Sequence, residues 1–124
     1  MPTTVLVVDD EKSYRDALTL ALANEGYKVQ TAANGQRALE IIEKLPIDLV
    51  LLDIMMPQLN GKEFLEKLNE EGRNIPCIVV SNMDQPEAYP GAVEYLIKAN
   101  YTLGDVVTEV KKTIGMAEGL DASY

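Results

Sequence analysis

The stretch VLVVDD, residues 5–10, places four consecutive apolar residues directly before two aspartates. A short apolar run without polar alternation is typical of a strand that is buried on both faces. Such strands belong to parallel sheets that helices cover on both sides, and their carboxyl ends are where α/β proteins bind ligands. The stretch therefore predicts a buried strand of an α/β domain with a candidate site at its end.

The rest of the chain repeats this unit of a short apolar strand followed by an amphipathic helix. The predicted strands cover residues 5–8, 27–31, 49–52, 75–80 and 95–97. The predicted helices, recognised by apolar residues at helical spacing, cover residues 11–24, 34–44, 61–70 and 103–114. This alternation requires right-handed crossovers and a parallel sheet. The sequence therefore predicts a doubly wound α/β domain.

Composition limits the classes of function that fit. Of the 124 residues, 47% are hydrophobic and 25% are charged, which is ordinary for one globular domain. Acidic residues number 20 against 11 basic ones, and the net charge of −9 predicts no nucleic-acid surface. No apolar run is long enough to span a bilayer and the start lacks a signal-peptide pattern, so we expect no membrane insertion.

Two residue counts restrict the chemistry further. The chain has no histidine, which excludes Ser-His-Asp and Cys-His sites, imidazole zinc ligands and a phosphohistidine on this chain. Its one cysteine, Cys77, cannot form an internal disulfide and lies in an apolar run. We therefore predict that Cys77 is a core residue and that the protein is cytoplasmic. The chemistry must use carboxylates, hydroxyls, lysine, backbone groups or a hard metal ion.

Polar side chains stand at the predicted carboxyl ends of four strands. They are Asp9 and Asp10, Asp53, Ser81 and Lys98. Two carboxylates about 5 Å apart repel by roughly 3 kcal/mol at an effective dielectric constant near 20. A cluster of three would therefore take up protons or hold a divalent cation. Because every donor is an oxygen, the residues predict Mg²⁺, with Mn²⁺ as a substitute.

Each of these residues alone has an ordinary structural explanation. An acidic pair can cap a helix, Asp53 can form a turn, and a lysine such as Lys98 is usually solvated. Three competing motifs are absent from the sequence: the G-x-x-x-x-G-K-[ST] phosphate loop, the G-x-G-x-x-G fingerprint and the G-x-S-x-G elbow. The placement of all five residues at strand ends favours a functional site.

The chain resembles the receiver domain of two-component response regulators over residues 4 to about 115. The matching segments are VLVVDD (5–10), LVLLDIMMPQLNG (49–61), IVVS (78–81) and GAVEYLIK (91–98). The D-x-x-M-P-x-x-x-G pattern from Asp53 to Gly61, together with the acidic pair and the late lysine, is specific for this family. The resemblance implies a flavodoxin-like fold, with a five-stranded sheet of order 2-1-3-4-5 and helices on both faces.

The resemblance also implies an acceptor and a metal site. Asp53 would accept a phosphoryl group from a sensor histidine kinase or a histidine phosphotransfer protein. Asp10 and Asp53 would bind Mg²⁺ directly, and Asp9 would act mostly through a metal-bound water. The backbone carbonyl of Met55 would be a further ligand.

Three residues would then handle the transferred group and the response to it. Ser81 and Lys98 would bind phosphoryl oxygens during in-line transfer, with the metal and Lys98 offsetting the charge of the group. Ser81 and Tyr95 would form the switch, because the added charge biases a loop through Ser81 while Tyr95 changes rotamer.

Two neighbours of these residues depart from the family pattern. Ala99 follows Lys98 where the family usually has a proline in a cis peptide. A cis bond before a residue other than proline costs about 3–4 kcal/mol, so the 98–99 peptide is either trans with a shifted loop or strained. Asn82 follows Ser81 where alanine is commoner, which predicts a crowded switch loop.

Two methionines occupy positions that, in the family, flank the path of the hydrolytic water. They are Met55, two residues beyond the acceptor, and Met83, two residues beyond the serine. Neither side chain can orient a water molecule, which predicts slow self-dephosphorylation.

The connection between the last two predicted strands, residues 82–94, is short. Its 13 residues cannot hold an average helix of about 11–12 residues together with two loops. Pro86 and Pro90 further restrict helical geometry. We predict that the fourth helix of the family is shortened or missing, with a single turn near 86–89 or an irregular loop. Its loss should leave Tyr89, Tyr95 and Val106 less covered.

We expect a stand-alone receiver domain at residues 1–118 and a C-terminal tail at 119–124. The expected function is signalling by phosphorylation-dependent contact with an unidentified protein, as a monomer and without enzymatic turnover. One alternative is a pseudo-receiver that binds proteins without phosphorylation. Another is a metal-dependent phosphohydrolase, which would normally need an Asp-x-Asp pair, whereas Ile54 and Met55 follow Asp53 here.

Overall fold

The computed structural model describes residues 3–56, 59–82, 89 and 91–117. The strands are β1 (Thr4–Val8), β2 (Lys28–Ala32), β3 (Leu49–Leu52), β4 (Cys77–Ser81) and β5 (Ala92–Ile97). The helices are α1 (Lys12–Asn24), α2 (Gly35–Lys44), α3 (Gly61–Glu70) and α4 (Leu103–Ala117), with one 3-10 turn at Lys98–Asn100. None of these helices combines the length and the apolar character needed to cross a membrane.

The five strands form one parallel sheet of order β2-β1-β3-β4-β5, as predicted. Val8 at the end of β1 is level with Leu52 at the end of β3, and Ser81 is level with Ile97. The carboxyl ends of these strands therefore lie along one edge of the sheet, and the residues that follow them meet there.

Apolar side chains on the two faces of the sheet build two separate cores. Leu6 and Val8 point into the core under α2 and α3, while Val5 and Val7 point into the core under α1 and α4. All four side chains are fully buried. Burying one such side chain stabilises the fold by about 1.5–3 kcal/mol. This two-sided burial is the physical reason for the unbroken apolar run at residues 5–8.

Polar caps fix the starts of α2 and α3. The Asn34 side chain accepts a hydrogen bond from the Arg37 N–H at 2.8 Å. Asn60 and Glu63 form a reciprocal capping box, in which each side chain accepts a hydrogen bond from the backbone N–H of the other. The Gly35 N–H also donates to the Leu59 carbonyl at 3.1 Å, so the loop that follows β3 is attached to the start of α2.

Two strand starts differ from the predicted ones by more than one residue. β4 begins at Cys77 rather than at residue 75, because Pro76 has no N–H and contributes only its carbonyl, which accepts from the Val50 N–H at 3.0 Å. β5 begins at Ala92, three residues before the predicted start at residue 95. Gly91, with φ +91°, turns the chain into β5 in a conformation that favours glycine. The connection from β4 to β5 is therefore only residues 82–91.

Residues 83–88 and 90 of this connection lie outside the described residues, and with them Met83 and most of the turn predicted near 86–89. Tyr89 is buried and stacks on Tyr95, with ring centroids 5.9 Å apart and planes 12° from parallel. The prediction that Tyr89 and Val106 are less covered was wrong, because Tyr89 packs into the α2/α3 core and Val106 into the opposite one. Tyr95 is partly buried.

Cys77 is a buried core residue, as predicted, and burial raises the pKa of its thiol to about 12. The reactive form is the thiolate, whose population at pH 8 is then about three orders of magnitude below that of an ordinary thiol. We expect labelling of Cys77 by a maleimide to be slow in the native protein and fast in urea. The difference should shrink as the pH rises toward 12. Fast native labelling at pH 8 would contradict this placement.

Candidate functional site

The carboxyl edge of the sheet brings the predicted site residues together. Asp9 follows β1, Asp53 follows β3, Ser81 ends β4 and Lys98 follows β5. Asp9, Asp53 and Ser81 are the buried polar residues of the described chain, at 3%, 6% and 0% exposure. Burying polar groups costs free energy unless they have partners. Their concentration at one edge therefore marks a site rather than part of the core.

Three carboxylates lie within reach of one ion. Asp9, Asp10 and Asp53 each have a carboxylate oxygen within 4.8 Å of the others, and Asp10 is exposed whereas the other two are buried. The donors are all oxygens, the ligands that Mg²⁺ prefers, and the exposed side leaves room for water. The residues present therefore fit a Mg²⁺ ion.

Lys98 neutralises part of this charge. Its ammonium lies 2.8 Å from Asp9 Oδ2 and 3.6 Å from Asp53 Oδ2, and its side chain is only 9% exposed. Burial alone would lower the pKa of Lys98, but the hydrogen bond to Asp9 and the charge of Asp53 raise the pKa above its ordinary value. Lys98 is therefore a fully charged group held directly beside Asp53.

The surroundings of Asp53 disfavour the ionised form of its carboxyl group. Burial raises the pKa of Asp53 above its ordinary value. The Lys98 ammonium acts in the opposite direction, the charge of Asp9 raises the pKa further, and the Met55 N–H and the Ser81 hydroxyl lower it without cancelling the effect. The Met55 N–H donates to Asp53 Oδ1 at 3.1 Å, so one carboxylate oxygen is held by the backbone and the other faces Lys98.

Ser81 places a buried hydroxyl group beside Asp53. Its Oγ is completely buried and forms no hydrogen bond of ordinary geometry within the described chain, although it is near enough to Asp53 to affect the pKa of that carboxyl. A buried hydroxyl without a partner of ordinary geometry is free to bind a further polar group beside Asp53. An oxygen-rich group on Asp53 would be such a polar group.

The loop after β3 explains why a glycine ends the D-x-x-M-P-x-x-x-G pattern. The Gly61 N–H donates to the Ile54 carbonyl at 3.1 Å, which brings the start of α3 against the end of β3. A Cβ at Gly61 would lie 2.5 Å from the Asp53 carbonyl oxygen and 2.7 Å from Ile54 Cα. Met55 is 61% exposed beside the site, and the binding of a metal by its carbonyl stays a prediction.

The structure settles one of the two expectations for β5 and its end. The Lys98–Ala99 peptide is trans, and a 3-10 turn at Lys98–Asn100 follows the strand directly. Of the two alternatives for this peptide, the trans form is the one present, and the shift of the loop stays a prediction. Tyr95 lies three residues before Lys98 and stacks on Tyr89; its change of rotamer stays a prediction.

Two further residues beside the site, Tyr14 and Arg15, lie near the start of α1 and were not predicted from the sequence. The Lys98 ammonium lies 4.4 Å from the centroid of the Tyr14 ring. Arg15 Nη1 donates to the Asp9 carbonyl at 2.8 Å. Their positions could have been inferred from their spacing, because Tyr14 and Arg15 follow the acidic pair by about one helical turn. A helix that begins at Lys12 therefore places both residues beside that pair.

Comparisons with known proteins agree with this geometry. The family model "Response regulator receiver domain" matches residues 5–108. Response regulator MprA of Mycolicibacterium vanbaalenii is 39% identical over 84 residues, which are 68% of this chain and 36% of that protein. The chain thus matches about a third of the length of such curated relatives.

Two solved structures resemble the chain over nearly their whole length. A CheY-like receiver domain protein from Methanospirillum hungatei superimposes with a TM-score of 0.89 at 28% identity, covering 96% of this chain and 98% of that one. Response regulator TrrA from Thermotoga maritima, solved in complex with Mg(2+)-BeF, gives 0.79 at 31% identity, covering 90% and 98%. With the family match over residues 5–108, the chain belongs to the response regulator receiver domain family.

Proposed function

We propose that this receiver domain accepts a phosphoryl group on Asp53, in a Mg²⁺-dependent reaction, from a sensor histidine kinase or a histidine phosphotransfer protein. The observation that carries the proposal is the environment of Asp53. One of its carboxylate oxygens faces the Lys98 ammonium at 3.6 Å, and the unpaired hydroxyl of Ser81 is buried beside it. A cation and a hydroxyl beside a carboxylate are the groups needed to hold a phosphoryl group on that carboxylate.

The transfer step follows from this arrangement. A carboxylate oxygen of Asp53 attacks phosphorus in line, an O–P bond forms, and the bond from phosphorus to the donor nitrogen breaks with its electron pair left on the donor imidazole. The Met55 N–H holds Asp53 Oδ1 at 3.1 Å and so fixes the orientation of the carboxylate. Lys98 and Ser81 contact phosphoryl oxygens and offset their charge.

The acidic cluster is the proposed metal site. Asp9, Asp10 and Asp53 would hold the ion. The Met55 carbonyl would be a further ligand, and Asp9 would act mostly through water. When bound, Mg²⁺ supplies positive charge against the oxygens of the transferring group. The solved structure of the relative TrrA contains Mg(2+)-BeF, which supports the choice of metal.

The output is proposed to be contact with another protein rather than catalytic turnover. A phosphoryl group adds close to two negative charges beside Ser81, and Tyr95 on the adjacent strand transmits the change by a new rotamer. We further propose that the protein is a cytoplasmic monomer whose receiver domain spans residues 1–118.

Intact mass spectrometry after incubation with Mg²⁺ and a small phosphodonor tests the proposal. We expect one stable adduct with the mass of a single phosphoryl group, absent when EDTA replaces Mg²⁺. An unmodified protein would contradict the proposal and favour a binding module that acts without phosphorylation. Rapid release of free phosphate without an adduct would contradict it in favour of a phosphohydrolase.

The exposed Met55 side chain predicts a long-lived adduct. Met55 lies beside Asp53 but offers no polar group that could orient an attacking water. We expect Met55→Asn to speed decay of the adduct by about five- to tenfold, less than a true general base contributes because an amide only orients the water. The decay is measured by intact mass in Mg²⁺ buffer.

Leu45→Asn is the matched control, because Leu45 is also an exposed apolar residue but follows α2, at the opposite end of the sheet. Its adduct should decay at the parental rate. A Met55→Asn protein that decays no faster than the parent would refute the role given to Met55.

A further inference from the structure

The buried ammonium of Lys98 has an aromatic neighbour as well as two carboxylates. Its Nζ lies 4.4 Å from the centroid of the Tyr14 ring, 2.8 Å from Asp9 Oδ2 and 3.6 Å from Asp53 Oδ2. A cation within about 6 Å of a ring centroid is attracted by the ring, and the attraction is stronger when the cation is withdrawn from water. The Lys98 side chain is nearly buried, so its contact with Tyr14 belongs to the stronger class.

The Tyr14 ring is held in place by the same residue that holds Lys98. Tyr14 packs against the core under α1 and α4. The start of α1 is fixed by Asp9, whose Oδ1 accepts from the Glu11 N–H at 2.9 Å and whose carbonyl accepts from Arg15 at 2.8 Å. The ring therefore has a defined position relative to the acidic cluster.

No hydrogen bond of the Tyr14 hydroxyl within the described chain accounts for an aromatic residue at this position. The hydroxyl is buried and has no hydrogen-bond partner in the part of the chain that the structure describes. An unpaired buried hydroxyl weakens a fold, so packing alone would favour phenylalanine or an aliphatic residue. The contact that distinguishes Tyr14 from an aliphatic residue is the one between its ring and Lys98.

Asp9, Asp53 and Tyr14 all contact the Lys98 ammonium, but they have different roles in the proposed reaction. Asp9 and Asp53 are both assigned to the metal, so their charge is shared with a second cation, and Asp53 is also consumed by phosphorylation. The neutral Tyr14 ring keeps its attraction for Lys98 throughout. We infer that Tyr14 is a positioning residue, whose ring holds the Lys98 ammonium beside Asp53 for phosphoryl transfer. This inference rests on the function proposed above.

The contact itself can be measured in the metal-free protein. Protons that lie over an aromatic ring resonate upfield, so the ε-methylene protons of Lys98 should be shifted upfield in the parent and in Tyr14→Phe. The shift should disappear in Tyr14→Leu. Tyr27→Leu is the control, because Tyr27 packs against the same core but precedes β2, at the other end of the sheet. Ordinary Lys98 shifts in the parent would overturn the inference.

The consequence is measured as the rate of adduct formation with Mg²⁺ and a small phosphodonor. We expect Tyr14→Leu to be slower by about five- to thirtyfold, the change that corresponds to a desolvated cation–π contact. Tyr14→Phe should stay within about twofold of the parent, since it keeps the ring, and Tyr27→Leu should match the parent. Tyr14→Met replaces Tyr14→Leu if thermal unfolding shows that the leucine variant does not fold.

The outcomes separate this inference from the proposed function. If the parent forms the adduct and Tyr14→Leu forms it equally fast, the inference alone is overturned. If Tyr14→Phe is as slow as Tyr14→Leu, the hydroxyl rather than the ring matters and the inference is also overturned. If the parent forms no adduct while the Lys98 shift is present, the proposed function fails and this role for Tyr14 fails with it.

Discussion

Replacing Asp53 by asparagine is expected to abolish the phosphoryl adduct, lowering its rate of formation by roughly 100-fold or more. The amide keeps the shape of the side chain but has no anionic oxygen to attack phosphorus. The variant should still fold. Burial raises the pKa of Asp53, so the ionised carboxylate is disfavoured in the native protein, and an amide removes that charge. Lys98 keeps its 2.8 Å contact with Asp9.

The matched control for this variant is Asp48→Asn. Asp48 precedes the same strand at its opposite end, where its carboxylate accepts from the Thr4 N–H at 2.8 Å, a bond that an asparagine oxygen can also accept. We expect Asp48→Asn to form the adduct at the parental rate, as measured by intact mass spectrometry. An Asp53→Asn protein that is phosphorylated as fast as Asp48→Asn would refute the assignment of the acceptor.

Gly61→Ala is expected to destabilise the fold and to disturb the site. The added methyl group would lie 2.5 Å from the Asp53 carbonyl oxygen and 2.7 Å from Ile54 Cα, and both are backbone atoms that cannot rotate away. Overpacking of this kind costs about 1–3 kcal/mol, at the upper end when the backbone itself must move. Because the displaced segment includes Asp53, the rate of adduct formation should also fall in the fraction that remains folded.

Gly115→Ala is the control, because the same substitution is expected to stabilise the fold at this position. Gly115 lies in α4, and among the described residues a Cβ there would meet no atom within 4 Å outside its own helix backbone. Alanine in a helix is more stable than glycine by about 0.5–1 kcal/mol, so this control should be slightly more stable than the parent. Urea denaturation measures both changes. Equal unfolding midpoints for Gly61→Ala and the parent would contradict the close approach described here.

The fold could be predicted from the residues because its strands are buried on both faces. The runs at residues 5–8 and 49–52 must then be continuously apolar, and this makes them visible in the sequence. The strand order came from the family resemblance, since alternation of strands and helices fits several orders. The start of β5 was missed because exposed Val93 and half-exposed Glu94 do not form an apolar run.

The site residues could be predicted for a related reason. Parallel strands end at the same edge of a sheet, so polar residues that directly follow apolar runs must converge there, as Asp9, Asp53, Ser81 and Lys98 do. No comparable rule predicts which side chains from helices or loops reach the carboxyl edge of the sheet. The contact of Tyr14 with Lys98 depends on the rotation of α1 and on the path of a long side chain. The stacking of Tyr89 on Tyr95 depends on the course of a loop.

The most direct test of Asp53 as the acceptor identifies the residue that carries the phosphoryl group. Reduction of the Mg²⁺-dependent adduct with borohydride converts a phosphorylated aspartate to homoserine, and peptide mass spectrometry then locates that residue. Asp9, Asp10 and Asp53 all lie in the acidic cluster, so the experiment chooses among close neighbours. We expect homoserine at residue 53 alone. Homoserine at residue 9 or 10, with residue 53 unchanged, would contradict this assignment.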